Sequence, residues 1–334
     1  MNIQTETRTQ LGYQASHEQF LPSELLKWAQ LAEKAGFEGI NSSDHFHPWS
    51  ERQGQSGFSF AWLGAAMQVT TVPYGVVCSP GQRYHPAIIA QAIATLGELF
   101  PGRFDIALGS GEALNENITG DKWPDKQTRN QRLLECYQIM RKLLNGETVS
   151  QKGLVTVENA KLYTLPTQKP RLFCAAVSKE TAKWAGAWAD GLITVHRPAA
   201  ELREVIDAFR QNGGANKPIQ LKVQLSYSRD PEAALLGAHD QWRTNIFQGT
   251  VLGDLSSVSH FDAVAEFVKP ENLRDMVRIS SNIQDHIDWI MADMDFGFEK
   301  IVLHNVNREQ EVFIEDFGKY VIPAVRQLSQ AQVV

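Results

Sequence analysis

Apolar residues along this chain recur in two alternating rhythms. Short runs rich in β-branched residues are followed by longer stretches whose apolar positions fall three and four apart, the spacings of a strand and of an amphipathic helix. The rhythm opens with a strand over residues 7–13 and a helix over 22–35, where Leu25, Leu26, Ala29 and Ala32 share one face and Gly36 ends the helix. A second strand over 38–43 leads through a long loop to a helix over 60–69. The third strand spans 73–78, and the helix after it, 86–99, carries proline in its first turn. The fourth strand, 103–109, precedes a long helix over 126–144. Two short buried strands, 171–176 and 191–195, flank a helix over 179–189, and another helix covers 199–210. The seventh and eighth strands are 219–227 and 300–306.

Eight strands, most followed by a helix, predict a parallel (β/α)8 barrel, because open doubly wound sheets in this rhythm usually stop at about five or six. Two insertions interrupt the pattern, over about residues 146–166 and 247–282. The first reads as a hairpin pairing 154–157 with 160–165. There is no internal repeat or linker, so one domain over 10–330 is expected behind a polar tail of residues 1–9.

Composition narrows the function. A formal charge of −6 and a pI near 5.9, without a basic run, give no support for a nucleic-acid partner. No segment has the run of about 18 to 20 apolar residues that spans a membrane, and the first nine residues lack the apolar centre of a signal peptide. A cytoplasmic location is the expectation. Cys78, Cys136 and Cys174 are widely spaced and odd in number, and read as reduced core residues.

Candidate chemistry gathers where a barrel would put it, after the carboxyl ends of its strands. Ser16-His17-Glu18 follows strand one, and Asp44-His45-Phe46-His47-Pro48-Trp49 follows strand two. Ser79 to Tyr84 follows strand three, Gly109 to Glu116 strand four, Val177 and Ser178 strand five, and His196 and Arg197 strand six. Carboxylates, imidazoles and an indole around one mouth suit proton-coupled transfer. Arg83 is expected to brace its loop by pairing with a carboxylate, with Glu116 doing the same from the other side. A second reading takes His45, His47, His196 and His304 as ligands of a zinc hydrolase. Against it, barrel hydrolases place their paired histidines on the first strand.

Four segments carry a resemblance: Leu11 to Phe20, Ser43 to Trp49, Arg83 to Gln91, and Gly111 to Glu116. They resemble the deazaflavin-dependent glucose-6-phosphate dehydrogenases of the luciferase-like superfamily, or a divergent non-F420 flavinoid oxidoreductase branch of it. The resemblance implies an oxidoreductase moving hydride between a cofactor, F420 or FMN, and a small-molecule substrate, within a homodimer. It assigns His45 as the proton-handling imidazole, Glu112 as the partner acid, Trp49 as facing the reacting carbon and Glu18 as a second pocket carboxylate. Asp44, Val76, Val77, Ser79, Gly111, Asn115, Val177 and Ser178 fall on cofactor-binding positions, with a cis peptide at Val76–Val77. No metal is implied. Ala175-Ala176-Val177-Ser178 replaces the family's Gly-Gly phosphate loop, and the sugar-phosphate cations are absent around Pro198, Asp262 and Val277. Glucose 6-phosphate is therefore not the expected substrate. Within the superfamily, a monooxygenase using reduced FMN and oxygen is the alternative activity, and a non-catalytic flavin-binding barrel the alternative outside catalysis.

Overall fold

A computed structural model describes residues 8–331. Its strands are β1 (Gln10–Ala15), β2 (Gly39–Ser43), β3 (Tyr74–Cys78), β4 (Phe104–Leu108), β5 (Leu172–Ala175), β6 (Leu192–Val195), β7 (Ile219–Ser226) and β8 (Lys300–Asn305). Each runs parallel to the next, and β8 returns to β1 in the register Gln10↔Lys300 to Tyr13↔Leu303. The expected (β/α)8 barrel is the observed fold, a closed ring with flanking helices in one domain.

Alternation along the strands sorts the interior. Tyr13, Ile40, Tyr74, Ile106, Leu172, Leu221 and Leu303 join helix residues such as Leu25, Ile89, Ile139 and Ile290 in one continuous core. The residues between them point into the barrel, where Val77, Ala107, Phe173, Ala175 and Ile193 form a separate apolar cluster. The amino-terminal end of the barrel is closed by charge. Arg171 pairs with Asp105 at 2.6 Å and Glu299 at 2.8 Å. The buried Lys300 stem passes Gly12 and Gly39, where a β-carbon would approach its Cδ to 3.4 Å and its Cε to 3.3 Å. All three cysteines are buried and unpaired.

Three expectations shift. The first strand begins at Gln10, and position 7 lies outside the described residues. The hairpin pairs Val149–Gln151 with Val157–Ala160 instead of 154–157 with 160–165. Val149, Val155 and Val157 are buried there, whereas Tyr163 is 88% exposed, so burial against the Lys126–Leu144 helix selects the earlier register. The insertion after β7 holds three short helical segments, Gly249–Leu252, Val258–Ala265 and Pro270–Asp275. The strand Arg278–Ile279 then adds to the carboxyl end of β7. Helices Ile283–Met294, Gln310–Asp316 and Ile322–Ala331, which the sequence rhythm did not assign, complete the outer layer. Among the described residues, no helix is long and apolar enough to cross a membrane.

Candidate active site

Asp44 follows β2, and its carboxylate is taken up by the protein. Oδ2 accepts from Arg83 Nη2 at 3.0 Å, and Oδ1 accepts from Ser59 Oγ at 2.7 Å and more weakly from the Tyr84 hydroxyl at 3.4 Å. Arg83 also donates to the Asp44 carbonyl at 2.9 Å and lies 3.5 Å from Glu116 Oε1. Glu116 Oε2 accepts the Arg83 backbone N–H at 2.8 Å. The pairing expected of Arg83 and Glu116 is present and nearly sealed from solvent. Asp44 thus ties the loops after β2 and β3 together. Removing one partner strands buried charge, which typically costs about 3–5 kcal/mol. Arg83→Met is expected to lose stability on that scale in urea unfolding, and an unchanged midpoint would show that the pair does not brace the loops.

Glu18, His45 and Asn115 meet beside this pair. Glu18 Oε2 accepts from Ser16 Oγ at 2.9 Å, and Oε1 accepts from Ser43 Oγ at 2.6 Å. Burial works to raise Glu18, but the His45 charge, the Ser43 hydroxyl and Lys222 outweigh it and hold the carboxyl at about 2. Asn115 Oδ1 accepts the backbone N–H groups of Phe46 and His47 at 2.8 and 3.1 Å. Its Nδ2 therefore faces His45 Nδ1, at 3.1 Å. In this arrangement Nδ1 accepts, and the proton of the neutral ring sits on Nε2. Glu18 Oε1 lies 3.7 Å from the same Nδ1. His45 is lowered from its ordinary range, first by burial and then by Arg83, with Glu18 opposing.

Glu112 approaches from the loop after β4. It starts the short Ala113–Glu116 helix, and its carboxyl makes no hydrogen bond among the described residues. Burial, followed by the negative charges of Glu116 and Glu18, raises it to about 8, with Lys222 and Lys126 only partly offsetting them. Gly111 just before it has φ 84°, and a β-carbon there would meet Glu116 Cγ at 2.9 Å. Only glycine fits that turn without strain.

Lys222 of β7 was not singled out in the sequence. It lies half-buried inside the barrel, and its charge acts on Glu18, Glu112, His45 and His304. The run Gln220-Leu221-Lys222-Val223-Gln224 alternates like any half-exposed strand, so sequence alone places its polar face in solvent. In a closed barrel that face is the lumen.

The floor of the mouth is apolar. Val77 packs with Ala107, Phe173, Ala175 and Ile193, and a β-carbon on Gly109 would crowd Ser79 Oγ to 3.2 Å. Val76 instead points into the main core, leaving its backbone toward the mouth. No cis peptide occurs among the described residues, which corrects the expectation at Val76–Val77. Both residues stay in continuous parallel ladders, Val76 with Ser42 and Ile106, Val77 with Ser43 and Ala107. Ser178 caps the Lys179–Gly186 helix by accepting from the Thr181 N–H at 3.2 Å, and Val177 beside it is 49% exposed. The helix start offers backbone donors to an anion.

Trp49 is buried against Leu114 and Phe261, with the Phe261 ring 5.2 Å away and the His45 ring 4.9 Å away. Ala113 N–H donates to the Gly253 carbonyl at 3.0 Å, so the insertion closes over this side of the mouth. The four histidines of the zinc reading do not converge. His304 pairs with Gln19 Oε1 at 3.2 Å, His47 with the Leu114 carbonyl at 2.8 Å, and His196 Nδ1 accepts from Arg278 at 3.1 Å. No three His, Cys, Asp or Glu side chains among the described residues group as metal ligands. Arg278, next to Val277, is a cation that the sequence reading passed over. Asp293 holds it bidentately at 2.6 and 2.8 Å.

Comparison with known proteins agrees with this geometry. Residues 1–299 match the model of the luciferase-like monooxygenase family. F420-dependent glucose-6-phosphate dehydrogenases from Rhodococcus erythropolis and Segniliparus rotundus are 34% and 35% identical, each over 95% of this chain and 98% of their own length. An F420-dependent secondary alcohol dehydrogenase, solved with an F420-acetone adduct, superposes with a TM-score of 0.88 at 30% identity, over 96% of this chain and 99% of that one. The F420-dependent tetrahydromethanopterin reductase from Methanopyrus kandleri shares the fold, with a TM-score of 0.76 at 19% identity over 95% of this chain and 99% of its own. A closed barrel with its polar mouth at the strand ends, matched along nearly its whole length, makes this chain a member of the luciferase-like monooxygenase family.

Proposed function

We propose that this oxidoreductase uses F420 or FMN to move a hydride to or from a small organic substrate other than glucose 6-phosphate. The observation that carries the reading is one mouth holding a neutral imidazole, an ionised carboxylate and a protonated carboxyl, His45, Glu18 and Glu112, above an apolar floor. The floor suits an aromatic ring system, and the donors at Val177 and Ser178 suit a cofactor phosphate. When bound, the flavin or deazaflavin ring supplies the hydride acceptor or donor. The chain's own residues handle the proton. With Nδ1 accepting from Asn115, the neutral His45 ring rests with its proton on Nε2, where it donates a hydrogen bond without releasing the proton. With Nδ1–H turned to Glu18, Nε2 is free to take one, and Glu18 stabilises the imidazolium. Glu112, protonated at neutral pH, donates from the other side, and Trp49 with the insertion keeps water out.

Against glucose 6-phosphate stands the commitment of Arg278 to Asp293, with Pro198 where the dehydrogenases carry a cation. Titrating the protein with F420 and with FMN, oxidised and reduced, is expected to show micromolar binding of one of them by fluorescence. Binding of neither would end the redox reading. Oxygen uptake with reduced FMN would move the assignment to the monooxygenase branch.

A further inference from the structure

We propose that Lys222, together with Gln224, anchors a carboxylate of the substrate, so that the enzyme acts on short hydroxy or oxo acids; this rests on the redox reading above. Leu221, Val223 and Leu225 of β7 all lie in the main core, which turns Lys222 and Gln224 into the lumen. Gln220, lower on the same face, is engaged with Glu299 at 3.4 Å. Neither Lys222 nor Gln224 makes a side-chain hydrogen bond or ion pair among the described residues, and both are half-buried, open to the mouth. Two donors two residues apart on one strand stand about 7 Å apart at their bases, a span that long side chains close around one carboxylate.

A half-buried ammonium without a close counter-ion carries a desolvation cost that a bound anion removes. Two of the guanidinium groups at the mouth are already committed, Arg83 to Asp44 and Glu116, and Arg278 to Asp293. One ammonium and one neutral amide match a single negative charge. A phosphate dianion is more often met by arginine forks or helix amino termini. The Lys222 charge acts on both Glu112 and His45, which puts the anchored group in the same mouth as they are and favours a short acid. Glu18, the ionised carboxylate of the mouth, repels any carboxylate placed beside it.

The test is calorimetric titration of the full chain with 2-hydroxybutyrate and with its uncharged amide, 2-hydroxybutanamide. Wild type is expected to bind the acid at least about tenfold more tightly, the scale of one charge-assisted hydrogen bond. Lys222→Met should abolish that preference, Lys222→Arg should keep most of it, and Gln224→Leu should weaken the acid alone. Equal binding of acid and amide by wild type, or equal losses for both in the variants, would overturn the proposal. F420 and FMN titrations of the same proteins separate the two readings. Cofactor binding by wild type without acid preference sinks only the anchor, and acid preference without cofactor binding sinks only the redox assignment.

Discussion

His45→Ala is expected to lower turnover by about 10²- to 10⁴-fold while leaving cofactor affinity and fold intact. The size follows from what the ring does. It is the one imidazole in the mouth whose Nδ1 faces both an amide donor, Asn115 at 3.1 Å, and a carboxylate, Glu18 at 3.7 Å. That pairing stabilises either protonation state, and neither alanine nor water reproduces it. His45 contributes little to packing beyond its contact with Trp49, so unfolding should be nearly unchanged. The decisive comparison is single-turnover hydride transfer in wild type and variant, with the substrate found by screening. Equal rates would remove His45 from the chemistry.

Glu112→Gln should show the second large effect, and its signature is in the pH profile. The folded carboxyl is raised from 4.5 to about 8, so the native protein binds this proton more tightly than the unfolded chain does. Its contribution to stability is therefore complete below pH 4.5 and is lost as pH rises through about 8. Activity that needs the acid form follows the same limb and should decline above about pH 8. At the acidic side, the lowered His45 moves its limb below the usual imidazole range. Glutamine keeps the shape of the protonated side chain but has no proton to give. The variant should lose about 10²- to 10⁴-fold in rate, drop the alkaline limb, and be less destabilised than wild type at high pH. An alkaline limb retained in Glu112→Gln would assign it to another group.

Much of this site could be read before the fold was known, because its residues cluster in short loops with unusual composition. Asp44, His45 and Trp49 occupy one hexapeptide, and Gly111, Glu112, Asn115 and Glu116 another, so one correct strand boundary places each set at the mouth. Asp44 was the least well read, since its identity does not reveal that Arg83 and Ser59 would occupy both of its oxygens. Lys222 could not be read because facing inward is a property of ring closure, and no local pattern records it. Arg278 stands beside Val277 in the sequence itself; what the sequence does not show is its pairing with Asp293, which lies on a helix the rhythm left unassigned. The hairpin register was settled by contact with a distant helix, and the two-sided apolar run 154–165 left that choice open.

The side chains proposed to handle the proton come from the loops after β1, β2 and β4, whereas the cover over Trp49 comes from residues 249–265, far along the chain. The two are joined at few points, among them the Phe261 contact and the Ala113 to Gly253 hydrogen bond. That division makes the cover a separable part. Residues 249–265 can be recut for a new substrate, segment by segment, without touching the residues proposed to handle the proton.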